Sequence, residues 1–163
     1  MSDSGTHVPL IAYWKGRTLV GAELDDLVDF TDVYPTIAEV AGVELQDEDP
    51  KDGHSFLPRS LGQPSAGPRD WVLCYYQPYW RKQLQTGIFA RNADYKLYTD
   101  GRFYQVPTDL SEQSPLEPEV AVEVHGSLKA LLDVCPPINL KGSRGSQGRP
   151  IYPDWKQLEV RAK

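Results

Sequence analysis

The sequence has few of the features that mark a self-contained catalytic or metal-binding domain. Its 163 residues include only two cysteines and three histidines, and none of them stands in a CxxC pair or at metal-ligand spacing. A glycine-rich phosphate loop, an HExxH helix and a Gly-x-Ser-x-Gly turn are all missing. Carboxylates are frequent, but no pair of them is suited to acid–base chemistry. The residues by themselves therefore predict no catalytic residue, no metal site and no cofactor in this chain.

Charge and hydropathy exclude two further classes of protein. The net charge of −6 and the pI near 5.0 leave no basic surface of the kind that binds nucleic acid. No apolar run approaches the roughly 20 residues that cross a bilayer. Residues 1–4 lack the basic and apolar regions of a signal peptide. We expect neither a nucleic-acid partner nor a membrane partner, and the sequence leaves the cellular location unknown.

The chain is rich in residues that make turns and aromatic clusters. Fourteen prolines and thirteen glycines indicate many short elements rather than a helical bundle. Four tryptophans and nine tyrosines indicate a core or a groove that is built on aromatic rings. Cys74 and Cys135 are compatible with one disulfide or with two buried thiols, and the two thiols are favoured.

The first 66 residues predict one strand and one helix. Val8 to Trp14 is a short apolar run that is typical of a buried strand. Thr31 to Val40 has the spacing of a helix, and Gly42 is placed to end it. Residues 44–70 are polar and rich in proline and glycine, which predicts a long surface loop.

The following residues predict a small antiparallel sheet and a helix. Four short runs of strand formers are separated by turn signals, of which Asp100-Gly101 is the strongest. Apolar residues at helical spacing over Glu119 to Val134 predict a helix that covers one face of the sheet. The predicted strands are Trp71 to Tyr76, Gly87 to Arg91, Tyr95 to Tyr98 and Phe103 to Val106. The fold class is therefore predicted to be α+β.

Four segments occur in the order and at the intervals of the C-terminal third of type I sulfatases. Together they cover residues 5–116, and the chain resembles that family over this range. Lys15 and Leu110 depart from the pattern, because proline is usual at both positions. The segments are Gly5 to Ile11 (G-x-[HR]-x-P), Val28 to Gly42 (D-x-x-P-T, then Ala-Gly), Asp52 to Pro58 (D-G-x-S) and Ala90 to Gln113 (the closing hairpin and its turn).

The resemblance implies a division into three parts. Residues 1–66 would supply the last strand, helix and loop at the edge of the sulfatase α/β domain. Residues 67–137 would form the C-terminal antiparallel sheet and helix. Residues 138–163 would be a linker and tail.

The resemblance also implies that the catalytic chemistry lies elsewhere. Full-length sulfatases are expected to use calcium and a formylglycine made from a C/S-x-P-x-R motif. Cys74 is followed by Tyr-Tyr-Gln-Pro and does not fit that motif. The family's last catalytic lysine would precede Gly5, where this chain has none. The chain is thus expected to be inactive alone, with the missing N-terminal sulfatase domain as its partner.

Two places are candidates for contact with a substrate. The resemblance puts the start of this segment near the sulfate pocket, which makes His7 a candidate for its rim. The run Tyr75 to Arg81 combines aromatic rings with Gln and Arg, a set that suits a sulfated sugar. A structural or packing role is the alternative in each case. The candidate rim residues are His7, Gln77, Tyr79, Trp80 and Arg81.

Two other functions remain open from the sequence. The chain could be an accessory module that binds sulfated or anionic glycans, or a fragment of a related phosphatase or phosphonate hydrolase. If Leu10 to Tyr13 has no neighbouring strands, its exposed apolar surface also favours self-association.

Overall fold

The computed structural model describes residues 2–47, 49, 52–63, 69–76 and 87–135. Contacts divide the chain into two compact units. The sheet unit comprises the described residues of Met1–His7 and Leu73–Lys163, and the helix–loop unit comprises those of Val8–Val72. The predicted boundaries after residues 66 and 137 stay a prediction, and the tail over 138–163 lies outside the described residues.

A four-stranded sheet in the order β1-β2-β3-β4 confirms the predicted α+β fold. The β2–β3 and β3–β4 pairs are antiparallel, with Ala90 opposite Leu97 and Leu97 opposite Phe103. Each strand begins within one residue of its predicted start. The strands are β1 (Val72–Tyr76), β2 (Gly87–Arg91), β3 (Tyr95–Tyr98) and β4 (Phe103–Gln105).

Tight turns hold these short strands in register. Between β2 and β3, the Asn92 side chain accepts hydrogen bonds from the N–H groups of Asp94 and Tyr95 at 3.0 and 2.7 Å. Between β3 and β4, Gly101 has a φ of 90°, which glycine adopts without the steric cost of a side chain. The local chemistry of both turns was readable from the sequence.

The two faces of the sheet are filled differently. Because side chains alternate along a strand, Ala90, Leu97 and Phe103 share one face. Phe89, Tyr98 and Tyr104 form an aromatic cluster on the other face. The Phe89 and Tyr98 ring centroids lie 5.5 Å apart, and those of Tyr98 and Tyr104 lie 6.2 Å apart. The predicted aromatic core is therefore a core of this sheet.

A C-terminal helix covers the face that contains Phe103, as predicted. A 3₁₀ helix over Pro118–Ala121 leads into helix α3, which here denotes Val122–Asp133 and contacts β2 and β3. The His125 ring packs edge-on against Phe103 at 5.2 Å, so this histidine has a packing role. The buried side chains of the helix are Leu128, Leu131 and Leu132.

The helix–loop unit contains two helices. Helix α1 spans Val33–Ala41, follows a 3₁₀ turn, and ends at Gly42, whose φ of 68° fits the predicted helix stop. Helix α2, Leu57–Ser60, lies inside the stretch that the sequence predicted as loop. Four residues are too few to show helical periodicity, which is why the pattern missed it.

The prediction of a buried strand over Val8 to Trp14 was wrong. These residues form no strand, and all seven are exposed, with Ile11 at 88%. A strand needs hydrogen-bonding neighbours, and none of the described residues pairs with this segment. The apolar residues of this segment therefore favour a strand, but no described strand pairs with it.

The two units differ sharply in what they bury. Every buried hydrophobic residue in the described part of the chain lies in the sheet unit. The buried residues of the helix–loop unit are the polar Asp32 and Thr36. Apolar side chains on its surface include Ile11, Val20 (101% exposed) and Phe30 (87%). In the described ranges, no helix is both long and apolar enough to cross a membrane.

Candidate functional site

His7 is the one predicted rim residue that the structure describes. It follows a 3₁₀ turn over Asp3–Gly5, and its backbone N–H donates to the Asp3 carbonyl oxygen at 2.7 Å. Its side chain is 67% exposed. Gln77, Tyr79, Trp80 and Arg81 lie outside the described residues, and their roles stay a prediction.

Asp3 binds the His7 ring from a fully buried position. Its Oδ2 lies 3.2 Å from Nδ1 of His7, and its side chain is 0% exposed. An ionised carboxylate only accepts hydrogen bonds, so this contact requires the proton of a neutral His7 ring to sit on Nδ1. The exposed ring is thus held from its buried side.

Arg91 occupies the other oxygen of the same carboxylate. Its Nη1 lies 2.5 Å from Asp3 Oδ1, and the Arg91 side chain is 12% exposed. The guanidinium also donates from Nε to the Asn92 carbonyl at 3.0 Å and from Nη2 to the Ala93 carbonyl at 3.3 Å. The β2–β3 turn therefore fixes Arg91, and Arg91 fixes Asp3. We call Asp3, His7 and Arg91 the His7 triad.

Within the triad, Nδ1 of His7 is bound to Asp3, and Nε2 is the ring nitrogen that can contact another molecule. No hydrogen-bond partner for His7 Nε2 occurs among the described residues. A neutral ring with its proton on Nδ1 accepts a hydrogen bond or a proton at Nε2, and a protonated ring donates one there. The arrangement suits binding of an anion, or proton exchange with a bound group.

Sequence reasoning had found His7 but neither of its partners. The four-residue spacing from Asp3 to His7 within a glycine-containing turn is a weak local signal. Arg91 was included in the resemblance as part of the closing hairpin, without a role. Its contact with Asp3 spans 88 positions in the chain, and no local pattern reports such a pairing.

A second charged cluster organises the helix–loop unit. Arg69 donates from Nε to Asp32 Oδ2 at 3.0 Å and from Nη2 to Asp32 Oδ1, a forked pair with side chains 7% and 3% exposed. Asp32 also accepts from the backbone N–H of His54 at 2.7 Å. Every polar atom of this cluster is used internally, so it is structural.

A third cluster ties a turn to the aromatic face of the sheet. Lys96, fully buried, donates to Glu112 Oε1 at 2.7 Å, and its Nζ lies 4.0 Å from the Phe89 ring centroid. The Tyr98 hydroxyl donates to Glu112 Oε2 at 2.6 Å. Burial, and then this hydrogen bond to Glu112, raise the pKa of Tyr98.

The described residues offer no ligand set for the calcium that full-length sulfatases are expected to hold. Within those ranges, no three side chains of the His, Cys, Asp and Glu types lie close enough to share a metal ion. Calcium takes six to eight oxygen ligands, which the isolated carboxylates here do not supply. Cys74 and Cys135 are both half-buried and are not joined by a disulfide.

Comparison with known proteins supports the resemblance. No family model matches the chain. It is 27% identical to rat steryl-sulfatase over 92 residues, 53% of this chain and 16% of the relative. It is 27% identical to the uncharacterized sulfatase YdeN of Escherichia coli K12 over 172 aligned positions, 82% of this chain and 30% of the relative. It is 36% identical to an ulvan-active sulfatase of Formosa agariphila over 63 residues, 39% of this chain and 12% of the relative.

Structural comparison also finds similarity to sulfatases. A solved structure of a putative sulfatase from Bacteroides thetaiotaomicron superimposes with a TM-score of 0.51 at 24% identity, over 63% of this chain and 23% of that one. At this identity the match concerns the fold alone. In every one of these comparisons the chain spans less than a third of the other protein. The chain therefore resembles sulfatases in sequence and in fold, and the similarity covers only part of each of these sulfatases.

Proposed function

We propose that this chain is the C-terminal part of a sulfatase, a hydrolase of sulfate esters, and that it does not hydrolyse them alone. The observation that carries the proposal is the alignment of 82% of this chain with 30% of one sulfatase. The missing C/S-x-P-x-R motif agrees with a piece that lacks the formylglycine.

The substrate class we propose is a sulfated carbohydrate or an aryl sulfate. The relative from Formosa agariphila is named for activity on ulvan, and a structural neighbour was solved with its substrate D-glucosamine-2-N,6-O-disulfate. In this chain, His7 and the segment that contains Gln77 and Arg81 would contribute to the substrate rim. The rest of the sulfatase would supply the nucleophile and the metal.

The proposed partner is the N-terminal sulfatase domain. The helix–loop unit buries no hydrophobic side chain among its described residues, while Ile11, Val20 and Phe30 are almost fully exposed. Apolar surface of this extent on a soluble unit marks an interface. Without its partner, we expect the chain to associate with itself through this surface.

An activity assay tests the first part of the proposal. The purified chain is incubated with 4-nitrophenyl sulfate and calcium, and no turnover above background is expected. Measurable turnover would overturn the claim of inactivity.

The DNA upstream of Met1 gives a second test, because an open reading frame with a C/S-x-P-x-R motif is expected there. A glycan-binding screen with Trp80→Ala as control would reveal an accessory module instead.

Light scattering across micromolar concentrations tests the exposed surface. The chain should form oligomers, and Ile11→Glu together with Val20→Glu should shift them towards monomers because charge disfavours apolar association. Val122→Glu is the matched control, since Val122 is a 65% exposed valine of the sheet unit. A wild-type chain that stays monomeric throughout would refute self-association.

A further inference from the structure

We propose that Asp3 and Arg91 are positioning residues for His7, which hold its ring so that Nε2 meets the sulfate group of a ligand. This inference rests on the proposed function and deepens it. It assigns a role to two residues that the sequence pattern left without one.

Main-chain and side-chain contacts fix the His7 ring together. The N–H groups of Thr6 and His7 both donate to the Asp3 carbonyl oxygen, at 2.9 and 2.7 Å. The Asp3 carboxylate then holds Nδ1 at 3.2 Å. The same residue thus sets the backbone position of His7 and the orientation of its ring.

Because Asp3 is fully buried, water cannot readily take the place of its protein partners. A fully buried carboxylate must be satisfied by protein groups, because leaving it without partners is costly. One oxygen is bound by Arg91 and the other by His7. If the His7 ring turned away, a buried acceptor would lose its partner.

Arg91 ties the triad to the sheet. Its three donor contacts go to Asp3 and to two backbone carbonyls of the β2–β3 turn. Arginine is suited to this because its planar guanidinium holds several acceptors in fixed directions. Arg91 thereby fixes the position of the His7 ring relative to the β2–β3 turn of the sheet.

The charges of the triad favour an anionic ligand. The Asp3 and Arg91 charges cancel, so a protonated His7 ring gives the triad a net charge of about +1. Among the described residues, Asp3 pairs with the His7 ring and Arg91 pairs with Asp3. A sulfate ester carries a single negative charge on oxygens that accept a hydrogen bond from Nε2.

The tautomer of His7 tests the positioning role directly. In the full chain with ¹⁵N-labelled histidines, at a pH where the rings are neutral, we expect His7 to carry its proton on Nδ1. The preference should be about fivefold, the population ratio that one net hydrogen bond sustains. Asp3→Ala should abolish it, and Arg91→Gln should weaken it. Arg102→Gln is the matched control, because Arg102 pairs with the exposed Asp100 on the next hairpin.

His54 and His125 report whether each variant remains folded, because their environments do not include the triad. If Arg91→Gln disrupts the fold, Arg91→Lys decides. It keeps the charge but loses the fork to the turn carbonyls, and the His7 preference should still fall. A His7 ring without the Nδ1–H preference, or one that Asp3→Ala leaves unchanged, overturns the positioning role.

Ligand contact is tested with 4-nitrophenyl sulfate at a pH where the histidine rings are protonated, because only a protonated His7 ring donates a hydrogen bond from Nε2. The control is 4-nitrophenol, which is uncharged at that pH. The sulfate ester should shift the ring signals of His7 and leave those of His54 and His125 in place. The shift should be lost in Asp3→Ala. Absence of any His7 shift overturns the ligand half of the inference. Failure of the proposed function would show separately, as turnover by the chain or as an upstream sequence without the motif.

Discussion

Arg69 and Asp32 form a forked ion pair that is almost completely buried in the helix–loop unit. Asp32 also accepts from the backbone N–H groups of Asp29 and His54, both at 2.7 Å. One carboxylate thus joins the start of α1, the Asp52–Pro58 segment and Arg69. In a unit that buries no hydrophobic side chain among its described residues, this polar centre carries the local structure.

Removing Arg69 should therefore loosen the whole helix–loop unit. Arg69→Ala leaves a buried carboxylate unpaired, which costs about 3–5 kcal/mol. Hydrogen exchange at the amides of His54 and Phe56 should accelerate. The His54 amide donates to the Asp32 carboxylate, and the Phe56 amide donates to the Thr36 hydroxyl, which itself donates to the Asp32 carbonyl. Arg59→Ala is the matched control, since Arg59 is 41% exposed beside Asp26 and its loss should change exchange little. Equal acceleration in both variants would contradict this assignment.

Two glycines should respond with opposite signs to the same substitution. A Cβ on Gly53 would lie 2.0 Å from the Thr31 carbonyl oxygen, so Gly53→Ala must displace backbone and should destabilise its unit by about 1–3 kcal/mol. Gly126 lies within α3, and nothing is within 4 Å of its Cβ position. Gly126→Ala should stabilise the sheet unit by about 1 kcal/mol. Urea unfolding, followed through amide signals of each unit, would show both effects. A neutral Gly53→Ala would mean that the close approach to Thr31 is absent.

The sheet unit should lose stability in alkaline solution through Tyr98. Burial and the hydrogen bond to Glu112 raise the pKa of this phenol above its ordinary value of 10.0. The folded state then holds the proton more tightly than the unfolded state. The contribution of the Tyr98 phenol to the free energy of unfolding is complete below about pH 10 and declines as the pH rises towards the folded-state pKa. Urea unfolding should therefore give constant stability from about pH 8 to pH 9 and falling stability between about pH 10 and pH 11. Tyr98→Phe should flatten that slope, and an unchanged slope would rule out Tyr98 as its source.

The Cys135 thiol should react slowly in the folded chain. Burial raises its pKa to about 11 from 9.0, and its Sγ lies 3.7 Å from the Leu131 carbonyl oxygen. Since the thiolate is the reactive form, the shift lowers its population about 100-fold near neutral pH. In Cys74→Ser, which leaves this single thiol, labelling with a disulfide reagent should be slower by that order than in the urea-unfolded chain. Similar rates in both states would show that the thiol is not buried.

The fold of the sheet unit could be predicted because its signals are local. The turn at Asn92 and the glycine at Gly101 both act within a few residues. The apolar spacing of α3 likewise depends on neighbours one turn away. The resemblance to sulfatases could be recognised for a similar reason, because short motifs in a fixed order are visible in the sequence even when the tertiary contacts are unknown.

The sequence by itself determined the α+β class, the four strands, the two long helices and His7 as a candidate residue. Only the tertiary structure decided that Val8 to Trp14 forms no strand, because strand formation depends on a neighbour and not on the pattern of the segment. Only the tertiary structure placed Asp3 beside Arg91, 88 positions away, and left it fully buried. A buried charge acquires its role from what surrounds it, and those surroundings come from distant parts of the chain.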